Sequence, residues 1–376
     1  MKFSCNQQII SKAFNIVSKA VTTRTTIPIL NGILLKVDAD GYLTMSASDL
    51  EIGIEKTLKI ENCEEGEIVV QSKLFGDIIR KLPDAQIDFE VVDDNLCIKC
   101  RKSFFNIICS SSDEFPKMSK QEDDMEVLRL DKDIFRNMIK QTSFAASIDE
   151  ARGVITGVLF EFENEFLNMV ALDGFRMAIA KSKIGVNETK KIIIPAKILN
   201  EISKIILESE FNDENEDNYI EVYVNKKRAN FIIDNTKVYL RLLEGDFIDY
   251  QRIVPKDQKC SIKVNKNELL ENIERASLFA KIGKNNLIKF DIKNDYLEIT
   301  SKSEEGDVKE EILIDKKGDD LVIGFNSKYL IDCLKNVEDE EINLLFNTSI
   351  TPCLIKPLEG DNFEYLVLPV RITSSN

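Results

Sequence analysis

Three short stretches of the 376-residue chain decide its fold, because they repeat one pattern: Ser72-Lys73-Leu74-Phe75, Ala196-Lys197-Ile198-Leu199 and Ser327-Lys328-Tyr329-Leu330. An acid follows each lysine after four residues and a base after seven, giving the triples Lys73/Asp77/Arg80, Lys197/Glu201/Lys204 and Lys328/Asp332/Lys335. This spacing lies on one face of a helix. Apolar residues mark another face, at Leu74/Ile78/Leu82, Ile198/Ile202/Ile205 and Tyr329/Cys333/Val337. We therefore predict three copies of one amphipathic helix, 124 residues (73 to 197) and 131 residues (197 to 328) apart.

A second helix and a set of strands recur with the same spacing. Each copy opens on a short alternating strand that ends in a capping residue, at residues 3–6, 128–131 and 262–265. The helices that follow carry the apolar pairs Ile10/Phe14, Phe135/Ile139 and Leu269/Ile273. Alternating segments with a central turn then predict hairpins at 33–46, 158–171 and 287–300. Each copy therefore has the order strand, helix, strands, helix, strands.

This order predicts an α+β fold of three tandem domains, each about 125 residues long, which is an ordinary domain size. We place the domains at residues 1–120, 126–250 and 256–376, with junctions at 115–126 and 245–259. The acidic stretch 208–218 (ESEFNDENEDN) is predicted to be a solvated loop.

Composition excludes several classes of protein. Hydrophobic residues make up 43% of the chain and charged residues 31%, which is typical of a globular protein, and the formal net charge is −15. The chain contains no histidine, so Ser-His and Cys-His nucleophile pairs and histidine-ligated metals are excluded. We find no signal-peptide pattern and no apolar run of membrane-spanning length, so we predict a cytoplasmic protein without membrane contact.

The eight cysteines do not form a disulfide or metal pattern. Cys97 and Cys100 are formally a C-x-x-C pair, but they fall in a strand-like run, residues 95–108, where residues three apart point to opposite faces. We interpret them as buried or half-buried thiols. The sequence predicts no catalytic residue, no metal and no cofactor.

Positive charge is concentrated on the helices of this acidic chain. Residues 1–37 contain five basic residues and no acid, and five of the six predicted helices carry two or more cations on their polar face. For one helix, a solvated surface with internal ion pairs explains such a stripe. Recurrence in several domains instead favours a cationic surface that binds a phosphate backbone without reading sequence.

These features together resemble the bacterial DNA polymerase III beta subunit, the replicative sliding clamp, over nearly the whole chain. The resemblance rests on residues 24–30 (RTTIPIL), 172–178 (LDGFRMA), 243–255 (LEGDFIDYQRIVP), 324–330 (GFNSKYL) and 365–372 (YLVLPVRI). It implies three tandem DNA-clamp domains, each with two helices packed on antiparallel sheets, and a head-to-tail homodimeric ring around duplex DNA. Such a protein is a processivity factor and not an enzyme.

The resemblance also implies which residues meet DNA. The predicted DNA-binding residues are Lys12, Lys19, Arg24, Lys73, Arg80, Arg136, Lys140, Asp149, Arg152, Gly153, Val154, Lys197 and Lys204. Family members often carry aromatic residues after the arginine at position 152. Because this chain has Gly153 and Val154 there, we expect no stacking contact with DNA at that point.

A partner-peptide pocket between the second and third domains is implied in the same way. The matching residues are Ile155, Leu172, Gly174, Phe175, Arg176, Met177, Ile248, Arg252, Ile253, Asn326, Tyr329, Val367, Leu368, Pro369, Val370, Arg371 and Ile372. Short Leu/Phe-containing motifs of the polymerase alpha subunit, the clamp loader, other polymerases and repair proteins are the implied ligands. Taken alone, Asp173-Gly174 is a turn, and the closing run is a buried edge strand.

The resemblance also implies two groups of residues that close the ring. Arg101, Lys102, Phe104 and Phe105, on a late strand of the first domain, are expected to meet Leu278, Phe279, Glu304 and Glu305 of the third domain of a second copy. Their charges are opposite in sign, and their apolar residues suit an interface core.

Two other functions remain open from the residues alone. One is a metal-dependent enzyme acting on phosphodiesters, although we find no clustered carboxylate motif and no Gly-rich phosphate loop. The other is a repeat scaffold that binds only proteins.

Overall fold

The computed structural model describes residues 1–22, 25–118, 125–185, 189–209, 218–283 and 285–372. The chain divides into two compact units. One contains Met1–Lys132 and Glu201–Leu242, and the other contains Asp133–Asn200 and Leu243–Asn376.

The six predicted helices are present at the predicted places: α1 Gln7–Val17, α2 Ser72–Lys81, α3 Lys132–Thr142, α4 Ala196–Glu208, α5 Lys266–Ile282 and α6 Ser327–Lys335. Asn6 and Asn265 cap α1 and α5 as predicted, because their side-chain oxygens accept the backbone N–H of Gln8 (2.8 Å) and Glu268 (3.0 Å). One apolar position is wrong. Leu74 is 46% exposed, whereas Ile78 and Leu82 are buried as predicted, together with Phe75 and Ile79. No described helix is long and apolar enough to cross a membrane.

The strands follow the same order in each repeat. The first repeat has β1 Lys2–Asn6, β2 Gly32–Val37, β3 Tyr42–Ser48, β4 Ile52–Lys59, β5 Glu61–Glu64, β6 Gly66–Gln71, β7 Gln86–Val92, β8 Asn95–Cys100 and β9 Ser103–Ser110. The second has β10 Glu126–Asp131, β11 Gly157–Glu163, β12 Phe166–Leu172, β13 Arg176–Lys183, β14 Lys190–Pro195, β15 Tyr219–Val224, β16 Arg228–Ile233 and β17 Thr236–Arg241. The third has β18 Cys260–Asn265, β19 Leu287–Ile292, β20 Tyr296–Ser303, β21 Gly306–Leu313, β22 Asp315–Gly318, β23 Leu321–Asn326, β24 Glu341–Phe346, β25 Cys353–Pro357 and β26 Phe363–Val367.

The three predicted hairpins are confirmed as β2–β3, β11–β12 and β19–β20. The strand-like run 95–108 is instead a hairpin, β8–β9. Arg101 and Lys102 form its turn, with Arg101 in the left-handed region (φ 52°), so their placement on a strand was wrong. Within the hairpin Cys100 is buried and Cys97 half-buried, which confirms the interpretation of these thiols.

Antiparallel ladders join consecutive repeats. In the first unit, β17 of the second repeat pairs with β4 of the first, which builds a 13-stranded sheet. In the second unit, β26 of the third repeat pairs with β13 of the second, within a nine-stranded sheet. A separate four-stranded sheet has the order β21-β20-β19-β23, so β21 is an edge strand. Each intrachain junction therefore uses the fourth strand of one repeat and the last strand of the next.

Large apolar side chains fill the space between helices and sheets. In the first repeat Phe14 and Phe75, from α1 and α2, pack with ring centroids 5.8 Å apart, and Phe75 also contacts Phe89 of β7. Phe135 of α3 and Phe160 of β11 pack in the same manner at 6.0 Å. Because these helices bury their apolar faces on the sheets, their cationic faces point away from the core.

Candidate partner-peptide cleft

A tight turn between β12 and β13 forms one wall of the candidate cleft. The Asp173 carboxylate accepts the backbone N–H groups of Phe175 (2.8 Å) and Arg176 (3.0 Å). Gly174 has φ 88°, in the left-handed region that glycine adopts without strain. The turn therefore directs Phe175 outward, where it is 54% exposed, and Arg176 inward.

The Arg176 side chain lies at the centre of a buried ion-pair network. Its Nε contacts Asp173 Oδ2 at 3.1 Å, its Nη1 contacts Asp332 Oδ2 of α6 at 2.6 Å, and its Nη2 donates to the Phe144 carbonyl at 2.8 Å. The guanidinium also lies 5.1 Å from the centroid of the Tyr329 ring. Arg176 is only 9% exposed, so it supports the cleft from below, and its contact with a peptide stays a prediction.

Two aromatic rings form the open part of this wall. Phe175 stacks on Tyr329 with ring centroids 5.7 Å apart and ring planes inclined by 14°. Burial, together with the neighbouring Asp173 carboxylate, raises the pKa of the Tyr329 hydroxyl, which therefore stays a neutral hydrogen-bonding group. The Leu368 N–H donates to the Phe175 carbonyl at 2.9 Å and attaches the closing run to the turn.

A buried apolar cluster forms the floor. Its members are Ile155, Leu159, Val170, Leu172, Met177, Ile193, Tyr250, Leu354 and Leu366. Half-buried Val154, Phe247, Val254 and Leu368 pack against it. Of the predicted residues, Ile155, Leu172 and Met177 are therefore buried in the floor of the cleft. Leu368 is only half-buried, so part of its side chain remains accessible to a ligand. An apolar floor with a few polar groups is typical of a ligand cleft.

The connector after the second repeat is attached to the sheet through Tyr250. The Tyr250 hydroxyl donates to Glu161 Oε2 at 2.5 Å, and Lys191 Nζ lies 2.6 Å from Glu161 Oε1. Burial alone would raise the pKa of Glu161, but the hydrogen bonds from Lys191 and Tyr250 outweigh it and lower that pKa. Burial, and then the same hydrogen bond, raise the pKa of Tyr250, so the phenol remains protonated.

The remaining predicted residues of the connector are more open. Ile248 and Ile253 are 44% and 38% exposed. Arg252 is exposed and forms an ion pair with Asp249 at 2.7 Å. Asn326 caps α6 by accepting the Lys328 N–H at 3.0 Å, so it positions the helix that carries Tyr329.

The closing run divides between two places. Val367 is buried and pairs with Arg176 in the ladder, Pro369 is half-buried, and Arg371 is exposed. The Val370 N–H donates to the Gly324 carbonyl at 2.8 Å. A side chain at position 324 would approach the Val370 oxygen and Ile372 Cγ1 within 3 Å, which explains the glycine. Ile372 packs beyond this point and lines a separate pocket.

Sequence reasoning missed three residues that build the site: Phe144, Glu161 and Asp332. We predicted Asp332 as part of a helical triple with Lys328 and Lys335. Its carboxylate instead pairs with Arg176, 156 residues away in the chain. Because Arg176 is an inward-facing cation in a strand, the need for a buried acid was the only available signal.

Most of the predicted DNA-binding cations lie on helices, but several already have partners. Lys19 pairs with Glu208 (3.1 Å), Arg80 with Asp77 (2.8 Å), Lys140 with Glu338 (3.2 Å) and Lys204 with Glu201 (2.7 Å). Lys73 and Lys197 are exposed, and neither forms an ion pair with a residue that the structure describes. Lys12 lies on α1 and Arg136, half-buried, on α3, whereas Arg24 falls outside the described residues.

The loop 149–154 lies beside the cleft turn. Asp149 accepts the Ala151 N–H at 3.1 Å, and Arg152 Nη1 donates to the Asp173 carbonyl at 2.5 Å. Gly153 is exposed with φ 61°, and Val154 is turned towards the apolar cluster. Contact of this loop with DNA stays a prediction.

The predicted interface residues are open at the surface. Phe104 and Leu278 are 65% and 61% exposed, and Phe105 and Phe279 are half-buried. Glu304 and Glu305 form the exposed turn between β20 and β21, and Arg101 and Lys102 are also exposed. Ile108 of β9, 80% exposed, belongs to the same surface as Phe104 and was not predicted.

The structure shows no metal-binding group of three or more Cys, Asp or Glu side chains among its described residues. All eight cysteines are free thiols. Burial raises the pKa of Cys333, beneath Arg176, to about 12, so this thiol is protonated and inert.

Three family models match the chain in sequence order. They are described as the N-terminal, central and C-terminal domains of the DNA polymerase III beta subunit, and they match residues 1–119, 129–249 and 251–371.

Similar proteins cover the chain from end to end. The beta sliding clamps of Halalkalibacterium halodurans and Bacillus subtilis are 36% and 35% identical to it, over 99% of this chain and 100% of each relative. Crystal structures of a putative DNA polymerase III beta subunit from Eubacterium rectale and of the Bacillus subtilis sliding clamp superpose with TM-scores of 0.91 and 0.92, at 37% and 34% identity, over 99% of this chain and 100% of each of theirs. A sliding clamp from Pseudomonas aeruginosa, bound to griselimycin, superposes with a TM-score of 0.92 at 25% identity, with the same coverage.

Proposed function

Because the chain belongs to the DNA polymerase III beta subunit family, we propose that two copies of it form a closed ring that holds the replicative polymerase on duplex DNA. The chain is a sliding clamp of three tandem clamp domains and a non-catalytic processivity factor. The family therefore removes the phosphodiesterase alternative and argues against a scaffold that binds only proteins. We infer that it acts in the bacterial cytoplasm, where the chromosome lies.

The observation that carries the ring is the way consecutive repeats are joined. Ladders β4–β17 and β13–β26 pair the fourth strand of one repeat with the last strand of the next. Two strands of these kinds are not used by a junction within the chain: β21, the fourth strand of the third repeat, and β9, the last strand of the first repeat. β21 is an edge strand, and within the described residues β9 pairs on its outer side only at Cys109 and Ser110. Because β21 and β9 correspond to strands that pair within the chain, β21 of one copy can pair with β9 of a second copy, which joins the copies head to tail.

The register of this contact follows from the two intrachain ladders. Strand positions can be matched between repeats by following the ladders from strand to strand. On the last strands, Phe105 of β9 matches Val238 of β17 and Tyr365 of β26. On the fourth strands, Val308 of β21 matches Ile54 of β4 and Ala178 of β13. The intrachain pairs Val238–Ile54 and Tyr365–Ala178 are fully buried. Phe105 and Val308 are only half-buried, as expected for positions that still lack a partner. We therefore place Phe105 of one copy opposite Val308 of the next.

A helix residue extends the same correspondence. Phe144 follows the strand end Asp131 by 13 residues (131 to 144), and its ring meets Tyr365 edge-on at 5.5 Å across the second intrachain junction. Leu278 follows Asn265 by 13 residues (265 to 278) and is 61% exposed. We infer that Leu278 contacts Phe105 of the second copy and is an anchor of the interface.

Replacing Leu278 by Asp is expected to convert the dimer to a monomer, because it would bury an unpaired charge in the interface. Sedimentation velocity at micromolar concentration measures this. Ile350→Asp is the matched control, since Ile350 is 74% exposed in the same repeat but lies off the two edges. A Leu278→Asp protein that sediments as wild type contradicts this interface.

Duplex DNA would pass through the ring without a sequence-specific contact, held by cations on the helices. Lys73, Lys197 and Lys328 occupy the same place in the three repeats, and all three are exposed. Changing Lys73 and Lys197 to Glu is expected to reduce retention on nicked circular DNA several-fold after loading, while the protein stays dimeric. Lys226→Glu with Lys227→Glu, in the exposed turn between β15 and β16, provides a control of equal charge change. Equal retention of both double variants would contradict the assignment of the helices to DNA.

The cleft of the second unit is proposed as the site for Leu/Phe-containing partner peptides. Stacked Phe175 and Tyr329 and the half-buried Leu368 leave apolar surface beside the buried cluster. Aromatic and aliphatic anchors in such a place are the usual source of peptide affinity.

A further inference from the structure

The outer face of the third repeat carries a row of lysines where the second repeat carries apolar residues. The inward-facing residues Val158 and Phe160 of β11 correspond to Ile288 and Phe290 of β19. The outward-facing residue between each pair is therefore also equivalent: Leu159 in β11 and Lys289 in β19. The outward row in the second repeat is Leu159–Val170–Ile179, across β11, β12 and β13. The equivalent row in the third repeat is Lys289–Thr300–Lys309, across β19, β20 and β21.

The two rows have different surroundings. The row of the second repeat belongs to the apolar cluster that Tyr250 and Phe247 cover. The row of the third repeat faces a pocket of about 460 Å³, lined also by Lys302, Asp307 and Ile372. Three lysines and one acid line this pocket, in a chain whose net charge is −15.

Two of these lysines are available to a ligand. Lys309 is occupied, because its Nζ lies 2.6 Å from Glu298 Oε2. Lys302 faces Asp307 across the ladder, and Lys289 is among the cations that lower the pKa of Glu298, so each has an acid nearby without a close ion pair. Lys289 and Lys302 form no ion pair with a described residue. Thr300 places a hydroxyl between Lys289 and Lys309. The pocket therefore offers two ammonium groups and a hydroxyl, which suit a carboxylate.

The closing run connects this pocket with the peptide cleft. Leu368 is bonded to Phe175 in the cleft, Val370 is bonded to Gly324, and Ile372 lines the lysine pocket. Four extended residues span at most about 13–14 Å. A peptide anchored at Leu368 thus needs only about four or five further residues to reach the lysines.

We propose that the lysine pocket binds acidic side chains that flank the Leu/Phe anchor of partner peptides. This inference rests on the proposed function, since the anchor must bind in the cleft. Charge at such an exposed site adds modest affinity and favours the correct partners among many with similar anchors. The lysine pocket is thus a specificity site next to an apolar affinity site.

Fluorescence anisotropy with the full-length protein tests the inference. The probes are one Leu/Phe anchor peptide with a four-residue Asp/Glu extension on its amino or its carboxyl flank, and the same peptides with Asn/Gln instead. We expect one acidic extension to improve affinity about three- to tenfold at low salt and to lose this gain above about 0.3 M salt. Lys289→Gln with Lys302→Gln should remove the gain and leave the neutral peptide unchanged. The control, Lys237→Gln with Lys317→Gln, changes two exposed strand lysines outside the pocket and should keep the gain.

Different failures have different meanings. Equal affinity of acidic and neutral peptides, or a gain that survives Lys289→Gln with Lys302→Gln, overturns this inference and leaves the cleft intact. A neutral anchor peptide that does not bind overturns the cleft, and the inference with it. If the double variant instead loses affinity for a single-stranded oligonucleotide and not for the acidic peptide, the occupant is nucleic acid and the inference is wrong.

Discussion

The two intrachain junctions of this protein have the same backbone conformation and hydrogen bonds but different side chains. In the second unit, Asp173 caps the turn before β13, and the Leu368 N–H donates to the Phe175 carbonyl at 2.9 Å. In the first unit, Asp49 accepts the N–H groups of Glu51 (2.9 Å) and Ile52 (2.8 Å), and the Arg241 N–H donates to the Glu51 carbonyl at 3.2 Å. Even the left-handed residue recurs, as Gly174 (φ 88°) and Leu50 (φ 77°).

The side chains at these equivalent positions differ in chemistry. Phe175, Arg176 and Met177 of the second unit correspond to Glu51, Ile52 and Gly53 of the first, and Leu368 corresponds to Arg241. Met118 Sδ lies 2.5 Å from the place that a Cβ at position 53 would occupy, so the Met118 side chain packs directly on the first junction. The turn and ladder are the general joint between repeats, and peptide binding depends on the side chains that only the second junction carries.

The largest expected effect comes from Arg176, the buried cation that the first junction lacks. Arg176→Ala leaves the carboxylates of Asp173 and Asp332 without their partner, so we expect a loss of about 3–5 kcal/mol in the free energy of unfolding. Urea denaturation, followed by circular dichroism, measures it. Ile52→Val at the same place in the first junction removes one methylene and should cost about 1 kcal/mol. Equal losses in the two variants would show that the junctions are stabilised alike.

Phe175 gives the next largest effect, on binding instead of stability. Phe175→Ala removes the ring that stacks on Tyr329, and we expect the affinity for a Leu/Phe peptide to fall at least tenfold, or about 1.4–2 kcal/mol. Because Phe175 is 54% exposed, the unfolding free energy should change by less than about 1 kcal/mol. Glu51→Ala, its equivalent in the first junction, should leave peptide affinity unchanged. Titration of a fluorescent peptide against both variants measures their affinities. A lower affinity of the Glu51→Ala protein would place the ligand at the first junction.

The smallest effect concerns an ion pair at equivalent positions of the first and second repeats, in which the acid and the lysine have exchanged strands. Glu161 pairs with Lys191 in the second repeat, whereas Lys36 pairs with Glu67 at the equivalent ladder position of the first. The pKa of Glu161 is lowered on folding, so its contribution is present above the unfolded value of about 4.3 and is lost as pH falls through the folded value. Glu161→Gln should cost about 1–2 kcal/mol at pH 7, and this difference from wild type should shrink below about pH 4.

Glu67→Gln provides the control for that pH series. The hydrogen bond from Ser112 lowers the pKa of Glu67, but its side chain is 44% exposed, compared with 6% for Glu161. Solvent screening should limit its cost at pH 7 to about 0.5 kcal/mol. Melting temperatures measured from pH 3 to pH 8 compare the two, and a Glu161→Gln difference that grows towards acid would contradict the role of this carboxylate.

The repeat pattern made most of the fold predictable. The lysine-acid-base spacing placed α2, α4 and α6, and hairpin turns such as Asp40–Gly41 were visible as local signals. Errors arose where neighbours in space decided the outcome. Leu74 fits the apolar stripe of α2 but is 46% exposed, because Phe75 and Ile79 face the sheet. The boundaries predicted at 120–126 and 250–256 stay a prediction.

The sequence by itself determined the number of repeats, the order of their elements, and the acidic body with cationic helices, since these depend on local periodicity and on composition. Only the tertiary structure decided that Arg176 meets Asp332 156 residues away and that Tyr250 holds the connector through Glu161. It also decided that β21 is an edge strand and that β9 is paired on its outer side only at Cys109 and Ser110 among the described residues. These features depend on which side chains and strands become neighbours after folding. A buried charge or a strand edge has no local pattern that names its partner, because burial and pairing are set by the packing of distant segments.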